Sequence, residues 1–397
     1  MDKKIKRNIK LDYISTFITN LNMQSSIWVL YLAYCGMNLM QIGLLEGIYH
    51  ATSIVCEIPS GALADLVGRK KSMILGRICV TISCIIMLFT RNFWWFAFSF
   101  FLQALGNNFN SGSEEALVYD SMICLGEEEN YIRINGRINT VIEVSQAIAT
   151  VVGGVMAEYS YFVCYAACTV ISLLAFVPVV LMKEPPVLKT PEEKERLTAR
   201  QLVARHFQTS FGILASDLRI LKIVTYFSVI FAAHTLLFFY SQQYYYDMGY
   251  NKIQISVIML LAGIVSCFGA IASEKLYRRF EKKVLVFSAA VMALTLVFYS
   301  VGKPLLSVGM FIAANFFNAV LYPIESETLN SIIPSEQRAT LISVNSMFFS
   351  IVMIVTFPVA GALADAWSLA SVLGVLGLLL LLFIFVWDVK ISRKNGR

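Results

Sequence analysis

The chain has 397 residues, of which 57% are hydrophobic and only 15% are charged, and its mean hydropathy is +0.68. Soluble domains carry about 25% charged residues, so this composition excludes an ordinary water-soluble protein. The formal net charge of +6 would fit a nucleic-acid-binding protein, but the positions of the basic residues indicate membrane topology instead.

Apolar segments long enough to cross a bilayer, which takes about 20 residues, follow one another along most of the chain. Six precede a hydrophilic stretch and six follow it. They are predicted as helices because a backbone in lipid must satisfy its own hydrogen bonds. The segments are 13–36, 41–65, 72–90, 93–123, 133–158, 160–182, 218–246, 251–275, 283–301, 304–332, 336–365 and 367–388.

These segments predict an all-α integral membrane protein with twelve transmembrane helices in two pseudo-symmetric six-helix bundles. The N-terminal bundle spans 1–182 and the C-terminal bundle spans 218–397. The linker, 183–217, begins with Glu184-Pro185-Pro186, which ends the sixth segment because proline cannot continue a helix. Residues 192–214 read as a charged amphipathic helix lying along the cytoplasmic membrane surface.

Basic residues are distributed unevenly between the loops. With the N-terminus inside, the outer loops hold only Arg91, Lys252 and Lys303, and the remaining loop and terminal bases face the cytoplasm. An excess of Lys and Arg in cytoplasmic loops is the usual topology signal. We therefore predict a multi-pass protein of the plasma (inner) membrane with both termini cytoplasmic, embedded in the lipid bilayer, with no nucleic-acid partner.

A motif closes the second segment and recurs along the chain. Residues 61–71 read Gly-Ala-Leu-Ala-Asp-Leu-Val-Gly-Arg-Lys-Lys. The front half returns near Gly154, Gly269 and Gly361, and Gly269 lies 208 residues after Gly61. A self-match at half the chain length indicates a duplicated architecture.

Five residues of this motif, together with the twelve-span layout, carry a resemblance to a known family. Gly61, Asp65, Gly68, Arg69 and Lys70 resemble the signature loop between the second and third helices of the major facilitator superfamily (MFS). The resemblance extends over nearly the whole chain and points to the multidrug-efflux-like branch. It implies alternating access, and it implies that Asp65 contacts the eleventh helix as a conformational latch.

Two departures weaken the assignment to the drug antiporters. The fourth segment has no arginine before Gly106, and the fifth reads Ala149-Thr150-Val151-Val152-Gly153-Gly154, without the Gly-Pro of that branch.

Carboxylates and a histidine inside membrane segments are costly and suggest function. The candidates for proton coupling are Glu114, Glu115, Glu143, His234 and Glu325. Glu114 and Glu115 are adjacent, so they point in different directions, and one of them is expected to meet a base such as Arg77, Arg133 or Arg137. A structural ion pair and a coupling role both stay open for these two, as do packing and coupling for His234.

Polar side chains within the spans are the candidates for lining the substrate cavity. They are Asn20, Gln24, Asn107, Asn110, Gln146, Asn315, Asn318 and Tyr322. Asn315 and Asn318 lie 208 residues after Asn107 and Asn110, so the duplicated segments carry matching amides. The tyrosines at 244–246 are expected to form an interfacial belt.

Together these features predict a secondary active transporter that moves a small molecule by alternating access, as a monomer. Proton-coupled efflux of an amphipathic compound is the leading interpretation, and proton-coupled uptake of a polar metabolite is the alternative. Sodium coupling and a non-transporting receptor on the same scaffold stay open. The sequence contains no phosphate-binding loop, nucleophile triad or metal-ligand set, so no enzyme activity, no metal and no cofactor beyond an ion gradient, expected to be H⁺, is predicted.

Overall fold

A computed structural model describes residues 2–186, 201, 208, 218–332 and 338–387. Almost all of the linker helix predicted at 192–214 lies outside these residues. The inner side of the membrane is the one that the basic residues predict to be cytoplasmic, and the outer side is the opposite one.

The described chain is a succession of α-helices, with one short 3-10 turn at Glu128–Asn130. In chain order they are α1 Asp2–Asn20, α2 Trp28–Tyr34, α3 Leu39–Val67, α4 Arg69–Phe89, α5 Phe93–Leu125, α6 Tyr131–Tyr159, α7 Tyr161–Leu174, α8 Phe176–Leu181, α9 Leu218–Asp247, α10 Lys252–Phe280, α11 Lys282–Tyr299, α12 Pro304–Ile332, α13 Arg338–Ala366 and α14 Leu369–Val386.

The all-α prediction is confirmed for the described residues. Eight of the helical stretches are both long enough and apolar enough to cross a membrane. The first predicted span, 13–36, is not one continuous helix, because α1 ends at Asn20 and α2 begins only at Trp28. The break falls on Asn22, Gln24 and Ser25, whose polar side chains compete with the backbone for hydrogen bonds.

Polar residues begin several helices, and they do so in matching places in the two halves of the sequence. Ser160 caps α7 and Ser368 caps α14 through their side chains, and these serines are 208 residues apart. At the start of α10, Asn251 and Gln254 form a reciprocal capping box. The start of α3 repeats that arrangement with Asn38 and Gln41. The duplication therefore includes the helix boundaries.

The described residues fall into two compact units. In the first unit, which comprises Met1–Tyr31 and Ile48–Arg205, α4 packs on α5 and α7, and α1 packs on α5 and α6. In the second unit, α11 packs on α12 and α14, α9 packs on α13, and α10 packs on α12. The pairs α4–α7 and α1–α6 of the first unit thus correspond to α11–α14 and α9–α13 of the second.

The second unit comprises Leu32–Gly47 and His206–Arg397, so it includes the outer end of α3. Gly43 lies so close to Phe357 and Pro358 that a Cβ atom at Gly43 would meet the Pro358 Cα at 2.7 Å. The hydroxyl group of Tyr240 donates to the carbonyls of Leu39 at 3.2 Å and Phe357 at 3.1 Å. The division of the sequence at 182 and 218 remains a prediction.

Candidate functional site

The signature loop contacts the carboxylate of Glu184, a residue that the sequence places only at the end of the sixth predicted segment. Glu184 accepts hydrogen bonds from the backbone N–H groups of Arg69 at 2.7 Å and Lys70 at 2.8 Å. These are two of the unpaired N–H groups that open any helix, and a carboxylate there also complements the helix dipole. Glu184 therefore caps α4, whose first residue follows Gly68 directly.

Gly68 has a backbone φ of 101°, and a Cβ atom at this position would lie 3.2 Å from the Glu184 carboxylate. The positive φ favours glycine, because other residues are strained in this conformation, and a Cβ atom would in addition crowd the carboxylate of Glu184. Gly61, by contrast, has open space where its Cβ atom would be.

The side chain of Lys70 also links the start of α4 to the end of α8. Its Nζ atom donates to the carbonyl of Val180 at 2.6 Å and to that of Met182 at 2.7 Å. These carbonyls lie at the end of α8, where helix geometry leaves them without partners. Arg7 likewise donates to the carbonyl of Leu181 at 2.8 Å. Lys70 and Arg7 thus supply hydrogen-bond donors for the carbonyl groups at the end of the sixth predicted span.

Arg69 lies near Asp120 of α5, with Nε 3.9 Å from Oδ2. The structure therefore brings Gly68, Arg69 and Lys70 together with Glu184. The side chain of Asp65 lies outside the described residues, and the conformational latch remains a prediction.

The adjacent carboxylates of α5 have different partners. The Oε1 atom of Glu114 lies 3.7 Å from Nη2 of Arg77, so the expected pairing of one carboxylate with a base is confirmed. Glu115 instead accepts a hydrogen bond from the hydroxyl group of Tyr131 at 2.9 Å. Asp12, which no sequence pattern singles out, is only 2% exposed and interacts electrostatically with both Arg77 and Glu114.

Two side-chain amides of the first unit donate hydrogen bonds to side chains of neighbouring helices, Asn107 from α5 to α3 and Gln146 from α6 to α1. Asn107 donates to the hydroxyl group of Tyr49 at 2.9 Å, and Gln146 donates to the side-chain oxygen of Asn20 at 3.1 Å. Asn110 is buried, and its side chain occupies the space over Gly76 of α4. Gln24 is half-buried, and Glu143 of α6 is exposed.

The second unit holds the counterpart polar residues on α9 and α12. His234 and Asn315 are linked by a 3.1 Å contact between Nε2 and Oδ1. Asn315 also donates to the carbonyl of Phe311 at 2.8 Å. Asn318, at 5% exposure, is buried with its Oδ1 atom lacking a described partner. His234 therefore has a hydrogen-bonding partner from the duplicated amide pair.

Glu325 lies one turn beyond Tyr322 on α12. It is 6% exposed and accepts a hydrogen bond from the side-chain amide of Asn345 at 3.0 Å. Tyr322 stacks on Phe231, with 4.4 Å between ring centroids and 10° between ring planes. A carboxyl group, an amide and an aromatic pair thus meet within the second unit.

The tyrosines at 244–246 do not form the expected belt. Tyr244 and Tyr245 are 3% and 0% exposed, and only Tyr246 is exposed, at 48%. The hydroxyl groups of Tyr245 and Ser241 both lie 2.8 Å from that of Tyr299. The rings belong to a buried hydrogen-bonded cluster, because their hydroxyl groups find partners on α11 rather than at the membrane surface.

Buried carboxylates, paired amides and duplicated helical units inside a membrane-spanning chain define the class of protein as a multi-pass membrane transporter. The sequence model of the Major Facilitator Superfamily matches residues 13–324 and 275–396. The chain belongs to this family, whose members are transporters and not enzymes.

Relatives and solved structures agree with this assignment. The MFS-type transporter YxaM of Bacillus subtilis (strain 168) is 23% identical over 94% of this chain and 92% of its own length. The MFS-type transporter MJ1560 of Methanocaldococcus jannaschii is 21% identical over 55% of this chain and 58% of its own.

A crystal structure of the nucleoside transporter NupG superposes with a TM-score of 0.81 at 12% identity, covering 96% of this chain and 99% of that one. A D-xylose-proton symporter superposes with a TM-score of 0.64 at 15% identity, covering 98% and 99%. At such low identity the likeness to these structures shows the fold alone.

Proposed function

We propose that this MFS transporter couples the export of an amphipathic compound to the movement of protons by alternating access. The observation that carries the proposal is the setting of Glu325, which is buried and hydrogen-bonded to the neutral amide of Asn345. An ionised carboxylate in a membrane interior is costly without a cation. A carboxyl group in these surroundings is therefore suited to take up a proton when its site closes and to release it when the site opens.

The neighbouring aromatic pair supports an amphipathic substrate. Tyr322 is 55% exposed and stacks on Phe231, so an aromatic face stands one turn from the carboxyl group of Glu325. Aromatic rings accept apolar groups and attract cations at their faces. A compound with an apolar body and a positive charge matches both features, and proton and compound would compete for Glu325.

Uptake of a polar metabolite with a proton is the second candidate. The exposed amides of Asn107 and Gln146 are hydrogen-bonded to the half-buried side chains of Tyr49 and Asn20, and such polar groups hydrogen-bond readily to sugars, amino acids and similar solutes. These contacts favour a substrate with several hydroxyl or amide groups. Sodium in place of the proton is a further outcome for the test below.

We further propose that the protein acts as a monomer in the plasma membrane, with both termini cytoplasmic and with no cofactor besides the ion gradient. The uneven distribution of bases supports this orientation, since the outer loops carry only Arg91, Lys252 and Lys303.

The test uses the purified chain in liposomes with an imposed pH gradient and a proton-sensitive dye inside. Lipophilic cations are added first, followed by sugars, amino acids and organic acids. Proton movement opposite to that of a lipophilic cation would support export. Movement of protons together with a polar solute would support the second candidate. Solute movement that requires sodium and leaves the dye signal unchanged would contradict proton coupling.

A further inference from the structure

Three side chains share one face of α12 in the second unit. Asn318, Tyr322 and Glu325 follow each other at intervals of four and three residues, which places them within about 60° of each other around the helix axis. Tyr322 stacks on Phe231 of α9, with 4.4 Å between ring centroids. Glu325 accepts from the side-chain amide of Asn345 of α13 at 3.0 Å. These five residues form the acceptor cluster.

Two amide oxygens of the acceptor cluster are buried without a hydrogen-bond partner among the described residues. They are Oδ1 of Asn318 and Oδ1 of Asn345. Buried polar atoms nearly always have partners, and the exceptions call for an explanation. The neighbouring Asn315 is satisfied by its contacts with His234 and with the carbonyl of Phe311. Both unpaired atoms of the cluster are acceptors, so a partner for them has to be a hydrogen-bond donor.

The bond between Asn345 and Glu325 determines which atoms the cluster offers when Glu325 is ionised. A carboxylate only accepts hydrogen bonds. The NH₂ group of Asn345 therefore points at Oε1 of Glu325, as observed, and the Oδ1 atom of Asn345 points away from it. An amide oxygen and a carboxylate thus stand side by side, and both of them accept.

Glu325 has no cationic partner within the described part of the chain. The ion pairs found there join other carboxylates, such as Glu114 with Arg77 and Glu127 with Lys6. Glu325 is only 6% exposed, and a buried carboxylate without a cation is costly. A proton removes this negative charge when the site is empty, and a positively charged compound balances it when the site is filled.

The aromatic part of the cluster has one accessible ring. Phe231 is 5% exposed, whereas Tyr322 is 55% exposed, so stacking covers one face of Tyr322 and leaves much of its ring accessible. Planar delocalised cations stack on such a ring. Tyr322 precedes Glu325 by three residues, which is about 4.5 Å along the helix axis. A planar cation on this ring therefore has its edge close to the carboxylate.

We propose that the acceptor cluster binds planar cations that carry N–H groups, namely aromatic amidinium and guanidinium compounds. Their N–H groups donate to Glu325 and to Oδ1 of Asn345, and the aromatic ring lies on Tyr322. Asn318 is about 10 Å from Glu325 along the helix axis, so its oxygen accepts from a second N–H group at the far end of the ring. The inference rests on the proposed function in taking Glu325 as the carboxylate that meets the substrate, and it narrows the substrate class.

The test is isothermal titration calorimetry of the purified full-length protein at constant neutral pH, without a gradient. Benzamidinium and phenyltrimethylammonium have the same ring and the same charge, but only benzamidinium has N–H groups. Benzamidinium is expected to bind at least about tenfold more tightly, because the quaternary ion leaves the buried acceptors unpaired. 4-Aminobenzamidinium adds an N–H group at the far end of the ring and is expected to bind about threefold more tightly still.

Two substitutions assign these differences to single atoms. Asn345→Ala is expected to lower the affinity for benzamidinium by about tenfold and to leave that for phenyltrimethylammonium unchanged. Asn318→Ala is expected to remove only the gain that the amino group of 4-aminobenzamidinium provides. A general loss of structure would weaken all three probes together. Ser346→Ala, at the exposed position next to Asn345 on α13, is the control and should preserve every ratio.

Equal affinities of the wild type for benzamidinium and phenyltrimethylammonium would overturn the inference. Equal weakening of both probes by Asn345→Ala would overturn it as well, and a gain from the amino group that persists in Asn318→Ala would refute the role of Asn318. Binding of neither cation would contradict both this inference and the cationic substrate of the proposed function. Because calorimetry requires no transport, a failure of export or of proton coupling is read separately from a failure of this site.

Discussion

The side chain of Asp365 bonds to the backbone of Leu39, although 326 residues separate them in the sequence. Its two carboxylate oxygens accept from the N–H groups of Leu39 at 3.0 Å and Met40 at 2.9 Å. These N–H groups open α3, which begins at Leu39. Asp365 is the last residue of Gly361–Asp365, a partial repeat of the signature motif. This repeat therefore caps the outer end of α3, the second predicted span.

Asp365→Asn is expected to weaken this cap. Loss of a helix cap costs about 1 kcal/mol, so the thermal unfolding midpoint should fall. Cys35, which is buried beside the start of α3 at 8% exposure, should react faster with a membrane-impermeant maleimide. Asp247→Asn is the matched control, because among the described residues that carboxylate accepts its hydrogen bond locally, from Gln243 at 2.7 Å. If both variants had the same unfolding midpoint and the same rate of Cys35 labelling, a role for Asp365 as the cap of α3 would be contradicted.

Gly68→Ala is expected to destabilise the protein by about 1–3 kcal/mol, because the backbone there is nearly restricted to glycine and the new methyl group would press on Glu184. Gly61→Ala, in the same motif, meets open space and should be neutral or stabilising by up to about 1 kcal/mol. Thermal unfolding of both variants provides the comparison. The explanation would be wrong if the two substitutions shifted the midpoint in the same direction by similar amounts.

Tyr299→Phe should destabilise the second unit by about 1–3 kcal/mol, since it leaves the buried hydroxyl groups of Ser241 and Tyr245 without their shared partner. Tyr246→Phe removes the same atom from an exposed ring and should change stability by less than about 0.5 kcal/mol. Unfolding in detergent measures both. If Tyr299→Phe left the stability unchanged, the hydrogen bonds of this tyrosine cluster would add no stability.

Glu325→Gln is expected to abolish proton movement evoked by the compounds active in the wild-type liposome assay, while folding is retained. The amide keeps the shape of the side chain and cannot exchange a proton. Glu327→Gln, two residues further along α12 at an exposed position, should behave as wild type. An unchanged pH dependence in Glu325→Gln would move the coupling role to another carboxylate.

Asp65→Asn tests the latch that the family resemblance implies. Transport should fall while the amount of folded protein in the membrane is unchanged, because a latch biases conformations without holding the fold together. Asp247→Asn again provides a matched control. Full wild-type flux in Asp65→Asn would refute the latch.

The helical class, the duplication and most helix positions could be predicted from local signals. Apolar runs of membrane length, Ser160 and Ser368 at equivalent caps, and the repeated glycine motif all lie within short stretches of sequence. The break between Asn20 and Trp28 is not evident from hydropathy, because residues 21–27 lie between two apolar stretches of one predicted span.

The partners of the charged residues were much harder to predict. The sequence predicts Arg77 only as one of three bases that either Glu114 or Glu115 could meet, it does not single out Asp12, and it places Glu184 only at the end of a helix. Tyr244 and Tyr245 followed a common interfacial pattern but are buried against Tyr299. In each case the missing information was which surfaces of distant helices face each other.

The sequence by itself determined that this is a multi-pass helical protein of the Major Facilitator Superfamily built from a duplicated unit. Hydropathy, capping residues and glycine motifs act over a few turns, and they are readable without a fold. Only the tertiary structure decided that Glu184 caps α4, that Asp365 caps α3, and that Glu114 pairs with Arg77. Those contacts join residues from helices far apart in the chain, and their formation depends on how helices rotate and pack, which no local pattern encodes.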